Sequence, residues 1–247
     1  IPKPSLHFNT KLYTGNGSTN AQTGVGFQPD FTWIKARSNA ENHNLFDAVR
    51  GATKRIRSNG TEVEDTRTTS LTAFGSDGFT LGSGSQVNTS GWTFASWNWK
   101  AGGGQGSSNT DGSINTTYTS VNTTAGFSIS KYVGNDTAGA TVGHGLGVTP
   151  AMIMVKRLSG SAQNWRVYHK EIDASAPQDY DLKLNLTNAR DNDNTTWNDT
   201  APSSTVFTIG NSSTVNGGGG SDSYIAYCFA EKKGFSKFGS YVGNGNA

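Results

Sequence analysis

Side chains able to carry acid–base or metal chemistry are few and widely spaced in this sequence of 247 residues. The four histidines are His7, His43, His144 and His169, and none stands in a His-x-x-x-His or Cys-x-x-Cys spacing. His169 and Glu171 are two residues apart, so in a strand they would share one face and could exchange a proton. General acid–base catalysis also requires a cleft and a bound substrate, so we favour a polar pair at the end of a strand.

Paired carboxylates would be needed for glycoside hydrolysis, and one stretch offers them. Glu62 and Glu64 would share a strand face beside Asp65, although a solvated, charged edge is the favoured interpretation. Gly82-Ser83-Gly84-Ser85 lacks the spacing of a nucleophile elbow, and residues 102–106 lack the Lys-Ser/Thr of a phosphate-binding loop. The sequence therefore predicts no catalytic residue and no cofactor.

Hard oxygen ligands are concentrated in one polar stretch. Asp191, Asp193 and Asp199 lie there among asparagines, and carboxylate and amide oxygens are the ligands that Ca²⁺ prefers. The residue order of an EF-hand, with its Gly and terminal Glu, is absent. A polar loop is the favoured interpretation, and these three residues are kept as the only metal candidates.

Aromatic rings could stack on sugars, and the chain has six tryptophans. Most of them occupy strand positions that predict burial in a core. The exception is Trp197, which lies in a polar stretch, so we select it as the candidate ligand-binding residue.

A basic run is formed by Arg50, Lys54, Arg55 and Arg57, but no aromatic residue lies between these cations. Proteins that bind single-stranded nucleic acids combine cations with stacking rings, so we predict a solvated or inter-subunit face instead. The formal net charge of +2 also gives no reason to expect a nucleic-acid partner.

The composition predicts that short strands position these groups. Gly, Ser, Thr and Asn together make up 112 residues, and they are weak helix formers. With 33% apolar residues the chain can still build cores, and no apolar run reaches the roughly 20 residues that a membrane span requires. Cys228 is the single cysteine, so an intramolecular disulfide is excluded, and we expect it to lie in a core.

An internal repeat organises the chain. Tyr13-Thr14-Gly15-Asn16 recurs as Tyr132-Val133-Gly134-Asn135, and again as Tyr241-Val242-Gly243-Asn244. Three further matches follow the first two copies in the same order, with offsets that grow along the chain. Ordered matches with growing offsets are typical of one fold that carries loop insertions.

We therefore predict an all-β fold of two tandem antiparallel β-sandwich repeats, jelly-roll or concanavalin-like. Residues 1–103 form the first repeat, and residues 104–125 form a flexible Gly/Ser/Thr-rich connector with an added strand. Residues 126–236 form the second repeat. Residues 237–247 are either the opening strand of a further repeat, in a chain that continues, or a strand that completes the second.

The strand patterns add detail. Apolar residues on both faces of 31–36 and 152–155 predict strands that are covered on both sides. Alternating Leu182, Leu184 and Leu186 predict another strand.

Several segments of the sequence together resemble one known family. These segments are Gly26–Asp30 with Trp33–Lys35, Leu45–Gly51, Gly145–Pro150, Trp165–His169, Trp197–Pro202 and Tyr227–Glu231. The family that they resemble consists of virion structural proteins from marine tailed phages of cyanobacteria and Pelagibacter-like hosts. The resemblance implies tail-fibre, tail-associated or other virion-surface proteins with a lectin-like β-sandwich. It carries no catalytic signature and so implies no functional residues.

The expected function is a non-enzymatic structural protein of a phage virion surface, such as a tail fibre, an adhesin or a capsid-attached fibre. Its work would be assembly with itself or other virion proteins and contact with a host-surface glycan, without membrane insertion. A secreted lectin-like carbohydrate-binding protein and a polysaccharide depolymerase are the alternatives. We also expect a homo-oligomer, a trimer or another cyclic assembly, because the C-terminal motif arrives without the rest of its unit.

Overall fold

The computed structural model describes Ile1 and residues 3–245. Its regular structure is almost entirely antiparallel β, which confirms the all-β prediction. Two one-turn helices, α1 (Ser85–Asn88) and α2 (Asn194–Trp197), and two 3-10 turns, Pro4–Leu6 and Pro177–Asp179, complete it. Within the described residues, no helix is long and apolar enough to cross a membrane.

Within the described residues, the first half of the chain contains nine strands. They are β1 (Phe8–Thr14), β2 (Asn20–Gln22), β3 (Phe31–Ala36), β4 (Asn44–Asp47), β5 (Lys54–Arg55), β6 (Asp65–Thr66), β7 (Leu71–Gly75), β8 (Gly78–Leu81) and β9 (Thr93–Trp99). Its main sheet has the order β1-β9-β3-β4, and a smaller sheet has the order β2-β8-β7. The short strands β5 and β6 pair with each other.

The second half, as far as the structure describes it, also contains nine strands. They are β10 (Tyr118–Asn122), β11 (Phe127–Val133), β12 (Ala140–Gly143), β13 (Met152–Arg157), β14 (Arg166–His169), β15 (Tyr180–Asp181), β16 (Asp191–Asn192), β17 (Val206–Ile209) and β18 (Ser223–Phe229). Its main sheet has the order β10-β11-β18-β13-β14, and β12 pairs with β17 and β15 with β16. Without β10, which is the strand predicted in the connector, the two main sheets share one strand order.

The registers of the two main sheets also correspond. Trp33 of β3 lies opposite Trp97 of β9, and Met154 of β13 lies opposite Tyr227 of β18. The sequence repeat makes Trp33 and Met154 equivalent, and the structure places them in equivalent strands. Strand order and register are therefore alike in the two main sheets.

The repeated Tyr-x-Gly-Asn motif makes the same hydrogen bonds in both halves. The Tyr13 hydroxyl donates to the Val87 carbonyl and the Tyr132 hydroxyl donates to the Val215 carbonyl, each at 2.7 Å. A Cβ on Gly15 would lie 2.2 Å from the Thr89 carbonyl oxygen, so only glycine allows this close approach.

Three hydrophobic cores result because each main sheet is covered on both faces. One face of the first main sheet packs on its small sheet through residues such as Tyr13, Phe79 and Phe94. The corresponding face of the second packs on β12 and β17 through residues such as Tyr132 and Phe207. The remaining two faces pack on each other and form a central core. The predicted coverage of β3 and β13 on both sides is therefore correct.

The central core makes the two halves one packed body of four β layers. Phe31 from the first half stacks on Tyr227 from the second, with ring centroids 4.4 Å apart. Phe31 also stacks on Phe127 at 6.0 Å. Pairs of rings at such distances add attraction beyond their buried area. The repeats are therefore joined by an apolar interface as well as by the connector.

Hydrogen bonds hold the Gly-rich stretch that leads into the connector, and a backbone pairing holds part of the connector itself. The buried carboxylate of Asp30 accepts bonds from the backbone N–H groups of Ala101 and Gly103, at 2.7 and 2.9 Å. Further along, Ser107 bridges to Thr119 on β10. A Gly-rich composition predicts flexibility only where the backbone makes no other bonds. Here the buried carboxylate of Asp30 accepts hydrogen bonds from the backbone.

Polar bonds across the central interface fix the two halves to each other. The buried ammonium of Lys156 donates to the carbonyls of Thr61 and Gln163, at 2.9 and 2.7 Å. The Trp165 indole N–H donates to the Arg57 carbonyl at 2.8 Å. Burial lowers the pKa of Lys156 to about 8, and the charge of Glu62 counteracts part of that effect. Buried polar groups that find partners add specificity to an apolar interface.

Two predicted strands are absent from the described part of the chain. In the Leu182–Leu186 stretch, Leu182 forms an isolated β-bridge to Val167, while Leu184 and Leu186 are exposed. Residues 237–245 form no strand, so they do not complete the second repeat as a paired strand. Residues 246 and 247 lie outside the described residues.

Candidate functional site

The two main sheets do not cover each other completely, and an apolar cleft remains at one end of the central core. Its volume is about 290 Å³. Phe8 and Trp33 from the first half and Met152 and Phe229 from the second contribute to its walls. Both halves must therefore fold and pack before the cleft exists.

The strand registers explain why these walls are aromatic. Phe8, Trp99 and Phe31 lie opposite one another across β1, β9 and β3 and form one row on the first sheet. Phe229 with its neighbours forms the facing row on the second sheet. Trp99 and Phe229 meet edge to face, with centroids 6.3 Å apart. Side chains at alternate positions share a face, so each row projects into the same space.

One wall is fixed by a hydrogen bond. The Trp33 indole N–H donates to Nδ1 of His43 at 2.8 Å, which requires that nitrogen to be unprotonated. Burial lowers the pKa of His43, and the charge of Lys35 lowers it further. The indole therefore keeps its orientation at neutral pH.

The residues after β18 close the remaining side. Lys232 and Ser236 form an isolated bridge, and the turn between them carries Phe235 into the cleft wall. Phe238 follows and packs on Phe229 and on the ring of His169, with centroid distances of 6.2 Å in both cases. The segment after Phe238 then leaves the surface of the cleft.

The cleft wall is apolar, and among the described residues that line it none carries a charge. Ser236 is the one side chain in that set with a hydroxyl group. Such a surface can exclude water from an apolar group, but it offers few hydrogen bonds to orient a polar ligand.

The carboxylates considered for hydrolysis are bound to cations. Glu62 pairs with Arg57 at 2.6 Å, and Glu64 lies 3.4 Å from Arg50 and 3.8 Å from Lys54. Their oxygens therefore face guanidinium and ammonium groups.

Asp65, the third carboxylate of this stretch, bridges two arginines. It lies 2.5 Å from Arg55 and 2.8 Å from Arg67. Like Glu62 and Glu64, it is engaged in ion pairs within its own chain.

The basic run is not a solvated or inter-subunit face as a whole, and that prediction is wrong for two of its four members. Arg50 and Arg55 are buried. The Arg50 guanidinium bonds to Asp47 at 2.5 Å and to the Leu45 carbonyl at 3.2 Å. The spacing of these cations in the sequence does not reveal which of them has a buried acid as its partner.

The proposed proton-transfer pair has other bonds. Nδ1 of His169 accepts from the backbone N–H of Glu171 at 3.2 Å, and the Glu171 carboxylate accepts from the Ser240 N–H at 2.9 Å. Burial lowers the pKa of His169, although Glu171 counteracts this effect. Both residues hold the C-terminal segment in place.

The three metal candidates do not converge. Asp193 caps α2 by accepting from the Thr195 N–H at 2.9 Å, and Asp191 pairs with Lys183 at 3.0 Å. Asp199 lies beyond the helix in the left-handed region, with φ of 45°. Across residues 3–245, no three His, Cys, Asp or Glu side chains are grouped so that they could hold a metal ion.

Trp197 is a core residue, so its selection as a ligand contact is wrong. Its side chain is 2% exposed, and its ring packs edge to face on Tyr168 with centroids 6.2 Å apart. Asp193 starts a single helical turn that directs the indole inward, towards the core of the second half. Asn194 and Thr195 are exposed on the outer side of that turn, while Thr196 is buried with Trp197, so the polar composition of the stretch does not reveal the burial.

The cleft itself was not predicted. Trp33 and Trp99 were considered as stacking rings, but Phe8, Phe235 and Phe238 were not. The available signal was the apolar residues on the strand faces that do not pack on the small sheet of their own half. Their role depends on how the two sheets are offset, which a strand pattern does not report.

Comparison with known proteins gives one family. The profile described as a domain of unknown function (DUF7483) matches residues 3–247. No curated protein and no solved structure matches the chain.

Proposed function

Because the chain belongs to the DUF7483 family, a domain of unknown function, we propose a role for it here. It is a non-enzymatic module of a phage virion surface. It assembles by docking an apolar protein segment in the cleft. The chain is a structural part of the particle in this proposal. It holds a neighbour through the cleft, and its polar loops face outward.

The apolar character of the preformed cleft is the observation that carries this proposal. Small-molecule sites occupy roughly 300–1,000 Å³ and place a few polar groups to fix their ligand. The cleft, at about 290 Å³, is at the small end of this range and has almost no polar wall. One or two apolar side chains of a protein suit it better than an oligosaccharide, whose hydroxyl groups would lose their bonds to water.

Hydrolysis of a polysaccharide receives no support from the candidate carboxylates. A general acid and a nucleophile must both face the glycosidic bond. Glu62 and Glu64 instead face cations of their own chain. We therefore do not advance the depolymerase alternative.

The setting on a particle is supported by the resemblance of the repeated motifs to virion-surface proteins. Many copies on one particle raise the effective concentration of each contact, so an individually weak apolar contact is sufficient.

The docking role is tested with a fluorescent apolar dye such as anilinonaphthalene sulfonate. We expect the wild-type chain, kept dilute so that docked partners dissociate, to enhance its emission. Met152→Glu in the cleft wall should abolish the enhancement, and Leu186→Glu at an exposed site outside the cleft lining should retain it. Near-UV circular dichroism must show native packing in all three proteins, since partly unfolded proteins also bind this dye. No enhancement by the wild-type chain would contradict a docking cleft.

The place on the particle has its own test. Mass spectrometry of purified phage particles whose genome encodes this chain should detect it in stoichiometric amounts with the other structural proteins. Recovery of the chain from the lysate but not from the particles would rule out the virion role.

A further inference from the structure

The C-terminal segment, residues 237–245, exposes two large apolar side chains next to the cleft. Tyr241 is 94% and Val242 96% exposed, more than any other large hydrophobic residue described. The backbone is fixed just before them, where the Ser240 N–H donates to Glu171. Beyond this point the side chains of Tyr241 and Val242 are open to solvent.

The tyrosine of the same motif is buried in both other places where the motif occurs. Tyr13 stacks on Phe94 with centroids 5.1 Å apart, and Tyr132 stacks on Tyr224 at 5.3 Å. In its third occurrence Tyr241 belongs to a Tyr-x-Gly-Asn sequence too, but solvent covers it. A fully exposed Tyr-Val pair has apolar area that a contact would remove from water.

The cleft and this pair are close in the chain but are not in contact within one molecule. Phe238 lines the cleft, and Tyr241 follows three residues later, a reach of roughly 10 Å when extended. Because Tyr241 and Val242 are exposed, the cleft of a neighbouring copy can receive them. The apolar cleft wall matches the apolar pair.

We propose that the occupant of the cleft is the Tyr241-Val242 pair of a second copy of this chain. Each copy gives one segment and receives one, so the contact repeats until a closed oligomer forms. This inference rests on the proposed function, because it names the partner of the same cleft.

Sedimentation velocity of the full chain at concentrations from 1 to about 100 µM tests the contact, across the affinity range of weak interfaces. The wild-type chain should form a closed oligomer. The segment variant Tyr241→Ser/Val242→Ser and the cleft variant Met152→Glu should each be monomeric. The control Leu184→Ser/Leu186→Ser, which removes another exposed apolar pair, should assemble like the wild type.

A mixture of the two monomeric variants gives a sharper result. The cleft variant still has an intact segment, and the segment variant still has an intact cleft, so one contact can form. We expect a one-to-one heterodimer and no larger species, with an affinity at least tenfold above that of either variant for itself.

The outcomes separate this inference from the proposed function. A monomeric wild-type chain whose cleft binds the apolar dye would overturn the second-copy occupant and leave the docking role. A monomeric chain that does not bind the dye would overturn both. Assembly that persists in the segment and cleft variants, or a mixture without heterodimer, would also overturn the inference.

Discussion

Asp47 and Arg50 form a buried ion pair that Tyr227 from the other half of the chain completes. The Tyr227 hydroxyl donates to the Asp47 carboxylate at 2.6 Å, and neither Asp47 nor Arg50 has an exposed side chain. A charge that loses its partner inside a protein is costly, so this single contact connects the local loop to the packing of both halves.

Replacing Asp47 with Asn should therefore destabilise the protein by about 3–5 kcal/mol, since buried Arg50 would keep only its longer contact with Glu64. Glu62→Gln is the matched control, because its pair with Arg57 is partly solvated and should contribute only about 0–1 kcal/mol. Urea unfolding measures both. Equal, small losses would show that Arg50 does not depend on Asp47.

His144 should make stability depend on pH. Nδ1 accepts from the Leu146 N–H at 3.1 Å and Nε2–H faces the Ser203 carbonyl at 3.3 Å, so the neutral ring fits. Burial lowers its pKa below the usual 6.5, more than Ser203 and Asp111 raise it.

The unfolded state then binds more protons than the folded state just below pH 6.5, so stability should fall as pH decreases from 6.5 towards the lowered pKa. Thermal unfolding from pH 8 to pH 5 measures this. His144→Gln should reduce the slope. A wild-type stability that stays constant over this range would contradict the prediction.

At the scale of elements, the repeated Tyr-x-Gly-Asn motif shows why a strand end needs a particular residue. A Cβ on Gly15 would be 2.2 Å from the Thr89 carbonyl oxygen, and a Cβ on Gly134 would be 2.6 Å from the Asn216 carbonyl oxygen. Gly243 in the third occurrence has no atom within 4 Å of that position. The glycine is therefore required in the first two occurrences, where another part of the backbone packs against it.

Alanine substitutions should separate these three positions. Gly15→Ala and Gly134→Ala should each cost roughly 1–3 kcal/mol, because backbone atoms must move to admit the methyl group. Gly243→Ala should leave the unfolding free energy unchanged in the monomeric segment variant. Three equal effects, measured by chemical denaturation, would show that the close approach is not the cause.

At the scale of the whole molecule, the central core determines whether the two halves unfold together. Phe31, Met154 and Phe229 all belong to it, and separating the halves would expose these side chains to water. The interface is apolar and closed by buried polar bonds, unlike the looser contacts between many tandem domains.

We therefore expect calorimetry of the whole chain to show one cooperative unfolding transition. Residues 126–236 produced alone should bind an apolar dye at the exposed sheet face and should be less stable than the same residues in the whole chain. Two resolved transitions, or an isolated second half as stable as the whole, would mean that the halves fold independently.

The amino-acid sequence by itself determined the class of fold, which is all-β with antiparallel sheets. Weak helix formers and alternating aromatic residues predict short strands, and the Tyr-x-Gly-Asn phrases mark equivalent strand ends. Apolar residues on both faces of β3 and β13 predicted two covered faces correctly, because alternation reports what each side of a strand requires.

Only the tertiary structure decided what covers those faces. The face that carries Phe31 packs on the other half, and Trp197 turns inward from a polar stretch. Arg50 binds a buried acid, and the backbone N–H of Ala101 binds the buried carboxylate of Asp30. Each of these outcomes depends on residues far away in the chain, and a local pattern does not encode which distant surface supplies the partner. The cleft has the same origin, since it is the space left where two sheets of different halves fail to cover each other.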